Sequence, residues 1–370
     1  MLLLIPGPVT TSDAVRAAAA QDYAPWDNEF RALVQSLRER VLHLAGGREG
    51  EHVALPLQGC GHFALEAACR TFVPAGGRIL LPMTGHYADR IEKLAVGAGR
   101  IVVPLPVHAE AKADPAALRA ALASDPTLTH VALVYSETST GIVHDVPALA
   151  EAAGAEGRRV IVDAVSAFGA MPFDVFRLPM VDSVAFTTNK CFEGLPGASF
   201  TVARVDRLQA CAGQAGSWSF DLSDIYRHYK QAPGAHRFTP AAGAIAAFDV
   251  ALDLFEAEGG QPARLARYTA NMRTLYDGVC RLGLRPSLPP ELQGPIVLNV
   301  DAPCEPAWNL QGFVDGLKRR GILISNFYNT KQPSFRVGCI GAVTPEDMRR
   351  AVAAMEQTLA DMGVHARQAA

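Results

Sequence analysis

The chain has 370 residues, 49% of them hydrophobic, and a formal net charge of −3 at pH 7. That composition can fill one large core or two smaller ones, and the near balance of charge leaves neither the basic footprint of a nucleic-acid binder nor an acidic tail, so small molecules are the expected partners. Seven cysteines without CxxC spacing read as reduced thiols of a cytoplasmic protein, no metal is expected, and Met1-Leu2-Leu3-Leu4-Ile5 meets Pro6-Gly7-Pro8 too soon for a signal or membrane segment.

From about residue 50 to 205, short apolar runs alternate with alanine-rich helical stretches. Strands are predicted at 53–58, 78–82, 101–106, 130–135, 160–163, 183–186 and 200–204. Helices are predicted at 114–124, opened by Asp114-Pro115, and at 147–156, closed by Gly157. Such alternation implies an α/β fold with a mostly parallel sheet covered on both faces. Helices at about 240–258 and 262–282 follow, broken by Gly259-Gly260. After the proline-rich turn at 286–295 the pattern changes to a strand at 295–300, a helix at 308–320, strands at 322–325 and 335–339, and a last helix opened by Thr344-Pro345-Glu346-Asp347. That stretch reads as a separate α+β module, and the tail at 366–370 as frayed.

Two of the apolar runs end in an ionisable group: Val160-Ile161-Val162-Asp163 and, after Ser183-Val184-Ala185-Phe186, Thr187-Thr188-Asn189-Lys190. Buried parallel strands deliver such side chains at their carboxyl ends, so an acid and an amine come to one edge. Pyridoxal phosphate chemistry needs that pair: an amine to form a Schiff base with the cofactor aldehyde, and a carboxylate to keep the pyridine nitrogen protonated. The competing reading makes Asp163 a turn cap and Lys190 a surface lysine, but the apolar company of Lys190, with Glu193 the one charge nearby, is not that of a solvated surface.

Other segments point to the same ligand. Gln58-Gly59-Cys60-Gly61-His62 places two glycines between a strand and a helix, where free amides can hold a phosphate. Thr84-Gly85-His86-Tyr87 offers Tyr87 or His86 as an aromatic plane for a flat ring. Ser136-Glu137-Thr138-Ser139-Thr140-Gly141 supplies hydroxyls for a ring oxygen or the phosphate, unless they satisfy only backbone. Arg336, inside the apolar run Ser334-Phe335-Arg336-Val337-Gly338, needs either an internal salt-bridge partner or a carboxylate, phosphate or phosphonate ligand.

In one order along nearly the whole chain, these segments resemble the class V, fold type I aminotransferases, and more closely the 2-aminoethylphosphonate:pyruvate aminotransferase family. The likeness also takes in Leu4-Ile5-Pro6-Gly7-Pro8-Val9-Thr10-Thr11-Ser12, Trp26-Asp27, Asn189-Lys190-Cys191, Arg237-Phe238-Thr239 and Phe335-Arg336-Val337-Gly338-Cys339-Ile340-Gly341. The resemblance implies a large cofactor-binding domain at 21–260 with a mostly parallel seven-stranded sheet, a small C-terminal α+β domain at 261–370, and an arm at 1–20 near the active site. It implies pyridoxal 5'-phosphate as cofactor, with Lys190 as the Schiff-base lysine, Asp163 as partner of the pyridine nitrogen, and Tyr87 as the stacking ring. Gly59, Cys60, Gly61 and Thr138 would belong to the phosphate and ring-oxygen cradle, and Thr239 would reach the phosphate in a neighbouring subunit, making a homodimer. Arg336 would hold the substrate anion, with Gly7 beside it.

The implied reaction moves the amino group of 2-aminoethylphosphonate to pyruvate, giving phosphonoacetaldehyde and L-alanine. Two departures fall at the substrate end: Ser325-Asn326-Phe327-Tyr328 where the family is expected to read Tyr-Pro-Gly-Lys, and Pro240-Ala241-Ala242-Gly243 where Pro-Thr-His is expected. They leave open an ammonia-lyase acting on 2-amino-1-hydroxyethylphosphonate, or an alanine:glyoxylate or serine:pyruvate aminotransferase. A non-catalytic α/β protein using the Gly59 to Gly61 turn for a phosphorylated ligand is the alternative from another class.

Overall fold

The computed structural model describes residues 1–327 and 333–365. Tyr328 and residues 366–370 lie outside the described residues. Seven strands build the central sheet: β1 (His52–Gln58), β2 (Arg78–Met83), β3 (Ile101–Pro106), β4 (Leu128–Val134), β5 (Arg159–Asp163), β6 (Val181–Thr187) and β7 (Ala198–Arg204), in the spatial order β1-β7-β6-β5-β4-β2-β3. All seven predicted strands are present, each within two or three residues of its expected ends. The pairings among β2 to β6 are parallel, and β7 runs antiparallel between β6 and β1. That reversal has no counterpart in the sequence pattern, because a strand buried on both faces looks the same in either direction.

The inner strands are buried because they are apolar on both sides, β6 being buried at every position, whereas the edge strand β3 is half exposed. Helices Gly61–Phe72, His86–Gly97, Pro115–Ser124 and Val146–Ala155 form the crossovers. Asp114 caps the third of these by accepting the Ala116 N–H at 2.9 Å, ahead of a first-turn proline. Beneath β6 and β7 lies an aromatic cluster in which Phe186 stacks on Phe200 at 5.4 Å and on Phe168 at 4.4 Å, while Phe192 meets Phe255 edge-on at 5.1 Å. The strand that leads to Lys190 is thereby pinned by rings on its own face.

Beyond helices Ala242–Glu258 and Gly260–Arg281, the C-terminal part pairs β8 (Val297–Asp301) antiparallel with β9 (Ser334–Gly338), placing Asn299 opposite Arg336. Helices Leu310–Arg319 and Pro345–Asp361 cover this pair, the latter opened by the expected capping box of Thr344 and Asp347. The apolar interior forms two clusters, one around the seven-stranded sheet and one around β8, β9 and their helices. Leu4 belongs to the second cluster. The segment Leu2–Leu3 makes a short parallel strand with Ile322–Leu323, and Leu4 accepts the Gly338 N–H at 2.8 Å. The N-terminal arm is thus sewn onto the C-terminal part.

At the amino edge of the same sheet sits a fully buried carboxylate that the sequence did not single out. Asp182 accepts from Arg159 Nε at 2.7 Å and Arg207 Nε at 3.0 Å, with His130 Nε2 at 3.5 Å. Burial opposes its charge, but the nearby His130, the bond from Arg159 and the attraction of both arginines hold its pKa below the ordinary value. A carboxyl depressed in the folded state stabilises the fold above its unfolded pKa, and that stability drains away as pH falls through the folded value. Asp182→Asn is therefore expected to lower unfolding free energy by about 3 kcal/mol near neutrality, with the gap to the parent narrowing below about pH 4, as checked by urea melts across pH.

Candidate active site

The carboxyl ends of the sheet strands meet the N-terminal arm and β9, and there the predicted residues converge. In β5 the last residue is Asp163, paired in register with Ala185 of β6. The chain leaving β6 passes Thr187 and Asn189, whose side chains bond each other at 2.8 Å, and reaches Lys190. Lys190 is buried, and its Nζ donates to the Pro6 carbonyl at 2.6 Å. Gly7 makes that approach feasible: a Cβ at Gly7, where φ is +140°, would lie 2.5 Å from Lys190 Cδ and 2.6 Å from Nζ. Glycine here is a requirement of the lysine's path.

Asp163 is buried as well, and Oδ1 accepts the Val165 N–H at 2.9 Å. Burial drives its pKa up to about 7, with Val165 and Lys190 pulling the other way. For Lys190, burial lowers the pKa, Arg336 adds to that, and Tyr87, Cys191 and Asp163 oppose it. The amine is biased toward its neutral, nucleophilic form and the acid toward its protonated form. Both shifts work against the charge preference that water enforces, as functional sites do.

A small cavity beside Asp163 is lined by His62, Leu65, Tyr87, Arg90 and Val165. Tyr87 lies in the first turn of the helix His86–Gly97 and carries the Arg90 guanidinium 4.9 Å from its ring centre. Arg90 Nη1 lies 3.2 Å from His62 Nε2, and Cys60 Sγ lies 3.7 Å from the other ring nitrogen. Burial lowers the His62 pKa, and Arg90 lowers it further. Gly61 has no room for a side chain, since a Cβ would sit 2.4 Å from Val165 Cγ2.

Cys60 caps the helix Gly61–Phe72 without a side-chain bond, so the N–H groups of Gly61 and His62 head an uncapped helix, as anion binding requires. Gly59 supplies a bend, with φ +109°, and its own N–H is already taken by the Gly197 carbonyl at 2.9 Å. Thr138 is buried with its hydroxyl unpartnered, and its carbonyl accepts from Arg336 Nη1 at 2.9 Å. Arg336 is buried too. Among the described residues it has no carboxylate ion pair, its Nε is unpartnered, and Phe327 lies 5.2 Å beneath the guanidinium. Of the two partners open to it from sequence, the internal salt bridge is absent among those residues. Thr239 alone stands apart, exposed in the loop before Ala242–Glu258.

Sequence reading passed over several residues in this region. The Pro6 carbonyl carries no sequence signal at all. In sequence His62 is only the residue after the Gly59 to Gly61 turn, and Arg90 carries no signal of its own. Glu137 was overlooked although the strand before it, β4, is another apolar run ending near an ionisable group, the signal that found Asp163 and Lys190. A further cluster ties the lysine's turn down: Glu193, at φ +62°, bonds Arg267 at 2.7 Å and the Tyr268 hydroxyl at 2.7 Å, while Arg264 and Tyr268 both donate to the Cys191 carbonyl.

This donor set fits pyridoxal phosphate. Tyr87 and Val165 line a small cavity with the buried acid Asp163, the helix after Cys60 is uncapped, the buried Thr138 hydroxyl is orphaned, and the charge of the buried Lys190 amine acts on both Asp163 and His62.

Comparison with known proteins agrees. Residues 14–302 match the family model described as aminotransferase class-V. A 2-aminoethylphosphonate--pyruvate transaminase of Burkholderia ambifaria is 42% identical over 363 residues, covering 98% of this chain and 96% of that protein. One of the same name from Pseudomonas aeruginosa strain PAO1 is 40% identical, covering 98% and 97%. The fold matches the solved ureidoglycine-glyoxylate aminotransferase of Bacillus subtilis with a TM-score of 0.88 at 22% identity, covering 98% of this chain and 93% of that one. It also matches pyridoxamine-pyruvate aminotransferase of Mesorhizobium loti at 0.87 and 22%, with the same coverage. The chain belongs to the class V aminotransferases, enzymes of fold type I that work with pyridoxal phosphate.

Proposed function

We propose that this enzyme transfers the amino group of 2-aminoethylphosphonate to pyruvate, yielding phosphonoacetaldehyde and L-alanine. The observation that carries the reading is Arg336: a buried guanidinium with no carboxylate ion pair among the described residues, placed beside Lys190 and Thr138, in a chain similar over its length to transaminases named for that substrate pair. A guanidinium fork suits both the phosphonate of the donor and the carboxylate of the acceptor, which must take turns in one site.

In this reading Asp163 would partner the cofactor's ring nitrogen, Tyr87 and Val165 would hold the ring, and Gly59, Cys60, Gly61 and Thr138 would hold its phosphate and ring oxygen. Bound there, pyridoxal phosphate supplies an aldehyde for the amine and a protonated ring that draws electron density away from the substrate carbon. Asp163 keeps the proton on that nitrogen, and the neighbouring cation draws its carboxyl back to the ionised state. Lys190, whose amine burial biases toward the neutral form, would take up at Nζ the proton from the substrate carbon bearing nitrogen. Arg336 and the arm at Gly7 orient the substrate so that this proton faces Nζ.

The two clusters of apolar residues support a large domain near 21–260 and a small one near 261–370, with the arm at 1–20 shared between them: Leu4 packs in the second cluster and Val9 and Val15 in the first. Exposed Trp26, Trp218 and Phe63, with Thr239 nearby in sequence to the Arg237 that stacks on Trp218, support a homodimer in which Thr239 serves the partner's phosphate site. No helix among the described residues is long and apolar enough to cross a membrane, and all seven cysteines are free, which supports a cytoplasmic place of work.

The purified protein is expected to carry a visible cofactor band that borohydride bleaches and Lys190→Ala removes. It is expected to release aldehyde from 2-aminoethylphosphonate only when pyruvate is present; aldehyde from the 1-hydroxy compound without pyruvate would instead establish a lyase. Asp163→Asn is expected to have opposite effects on fold and function. A carboxyl whose pKa is raised in the folded state opposes folding above its unfolded value, so at pH 8 the cofactor-free variant gains up to about 4 kcal/mol, the gain vanishing below about pH 4, while cofactor affinity falls; melts with and without cofactor check both. Sedimentation is expected to give a dimer, and a monomer with full activity would exclude the shared site.

A further inference from the structure

Glu137 has no part in the chemistry above, yet it lies where three of that site's elements join. Its carboxylate is fully buried and accepts the Ser139 N–H at 3.1 Å, the Ser139 hydroxyl, and the Tyr87 N–H at 3.2 Å. Gly85, at φ +151°, clears the space, since a Cβ there would be 2.8 Å from Glu137 Cδ and 2.5 Å from Ser139 Oγ. The turn that Glu137 closes is also gripped from β8 and β9: Arg336 donates to the Thr138 carbonyl at 2.9 Å and Asn299 to the Ser139 carbonyl at 2.7 Å. One carboxylate therefore bonds the backbone that begins the Tyr87 helix and the turn on which Arg336 is seated.

We propose that Glu137 is the positioning residue of this site, holding the Tyr87 ring, the Thr138 hydroxyl and the Arg336 guanidinium in a single frame, so that cofactor ring and substrate anion are fixed relative to each other. The inference rests on the reading of this pocket as the pyridoxal phosphate site. Glu137 acts through Tyr87 and Ser139. A buried carboxylate suits the task because both of its oxygens accept, and the donors that meet it come from separate elements. Glutamine has the same shape but offers one acceptor and one NH2, so one of the converging donors would face another donor.

The test compares Glu137→Gln and Ser139→Ala with the parent and with Lys190→Ala, by cofactor titration, the circular dichroism of the bound cofactor's visible band, and kcat and KM for pyruvate. Glu137→Gln is expected to raise the cofactor's Kd about tenfold, weaken the dichroic band as the ring loses its fixed tilt, and raise KM for pyruvate by more than kcat falls. Ser139→Ala is expected to move the same three readouts in the same direction by less. A variant that melts earlier but keeps the parent's dichroism and KM would mean Glu137 only braces the fold, and overturns the proposal. If Glu137→Gln fails to fold, Ser139→Ala decides, parental dichroism and KM being the overturning result. Should the parent lack the band, or Lys190→Ala retain it, the reading of the pocket fails instead.

Discussion

A primary amine buried among apolar side chains is the constraint on which the architecture turns. Lys190 is out of water, its nearest acceptor is the uncharged Pro6 carbonyl at 2.6 Å, and Arg336 repels its charged form. Burial and Arg336 both disfavour its charged form, and its path is fixed by the groups around it. The holding is done from below by the phenylalanine cluster under β6, from behind by Arg264 and Tyr268 on the Cys191 carbonyl, and from above by the arm. The left-handed backbone at Glu193 fits the same pattern. A strained residue persists where its surroundings overdetermine it, and here its carboxylate is fixed by Arg267 and the Tyr268 hydroxyl.

Those same groups join the two halves of the molecule. Arg267 donates to the Gly341 and Val343 carbonyls as well as to Glu193, and the Tyr268 hydroxyl accepts the Gly341 N–H at 3.2 Å. Helix Gly260–Arg281 thus connects the lysine's turn to the segment that follows β9, the strand bearing Arg336. Such a network is worth little per exposed pair, but Arg264 and Tyr268 are fully buried, and in a dry setting its geometry is fixed tightly. The turn bearing Lys190 and the segment after the strand bearing Arg336 are thereby tied to one helix by hydrogen bonds.

How much of this could be read from residues alone depends on the kind of information each contact needs. Strand content, the alternation of elements and the separate C-terminal module were legible, because burial on both faces forces unbroken apolar runs and the helices announce themselves with Asp114-Pro115 or Thr344-Pro345. Asp163 and Lys190 were legible since each is an isolated charge at the end of such a run. The antiparallel course of β7 was not, since direction leaves no trace in hydropathy. Nor were the Pro6 carbonyl, the Gly59 N–H taken by Gly197, or the convergence on Glu137, all of which depend on backbone groups brought together from distant segments. Asp182 escaped notice for another reason: at the start of a strand, one acid among apolar residues looks like an ordinary boundary, and only the sheet shows that Arg159 and Arg207 flank it.

The thread from Pro6 to Lys190 spans 184 residues, and the arm bearing Pro6 is hydrogen-bonded at Leu2 and Leu4 to residues 321, 323 and 338. A ribosome would therefore release the arm long before its docking partners exist. The central sheet can condense without it, yet the amine lacks its Pro6 acceptor until the distal strands arrive and draw the arm into place. Biogenesis thereby acquires a built-in order: a truncated product that stops before β9 can have a formed sheet and still lack the clasp on its lysine.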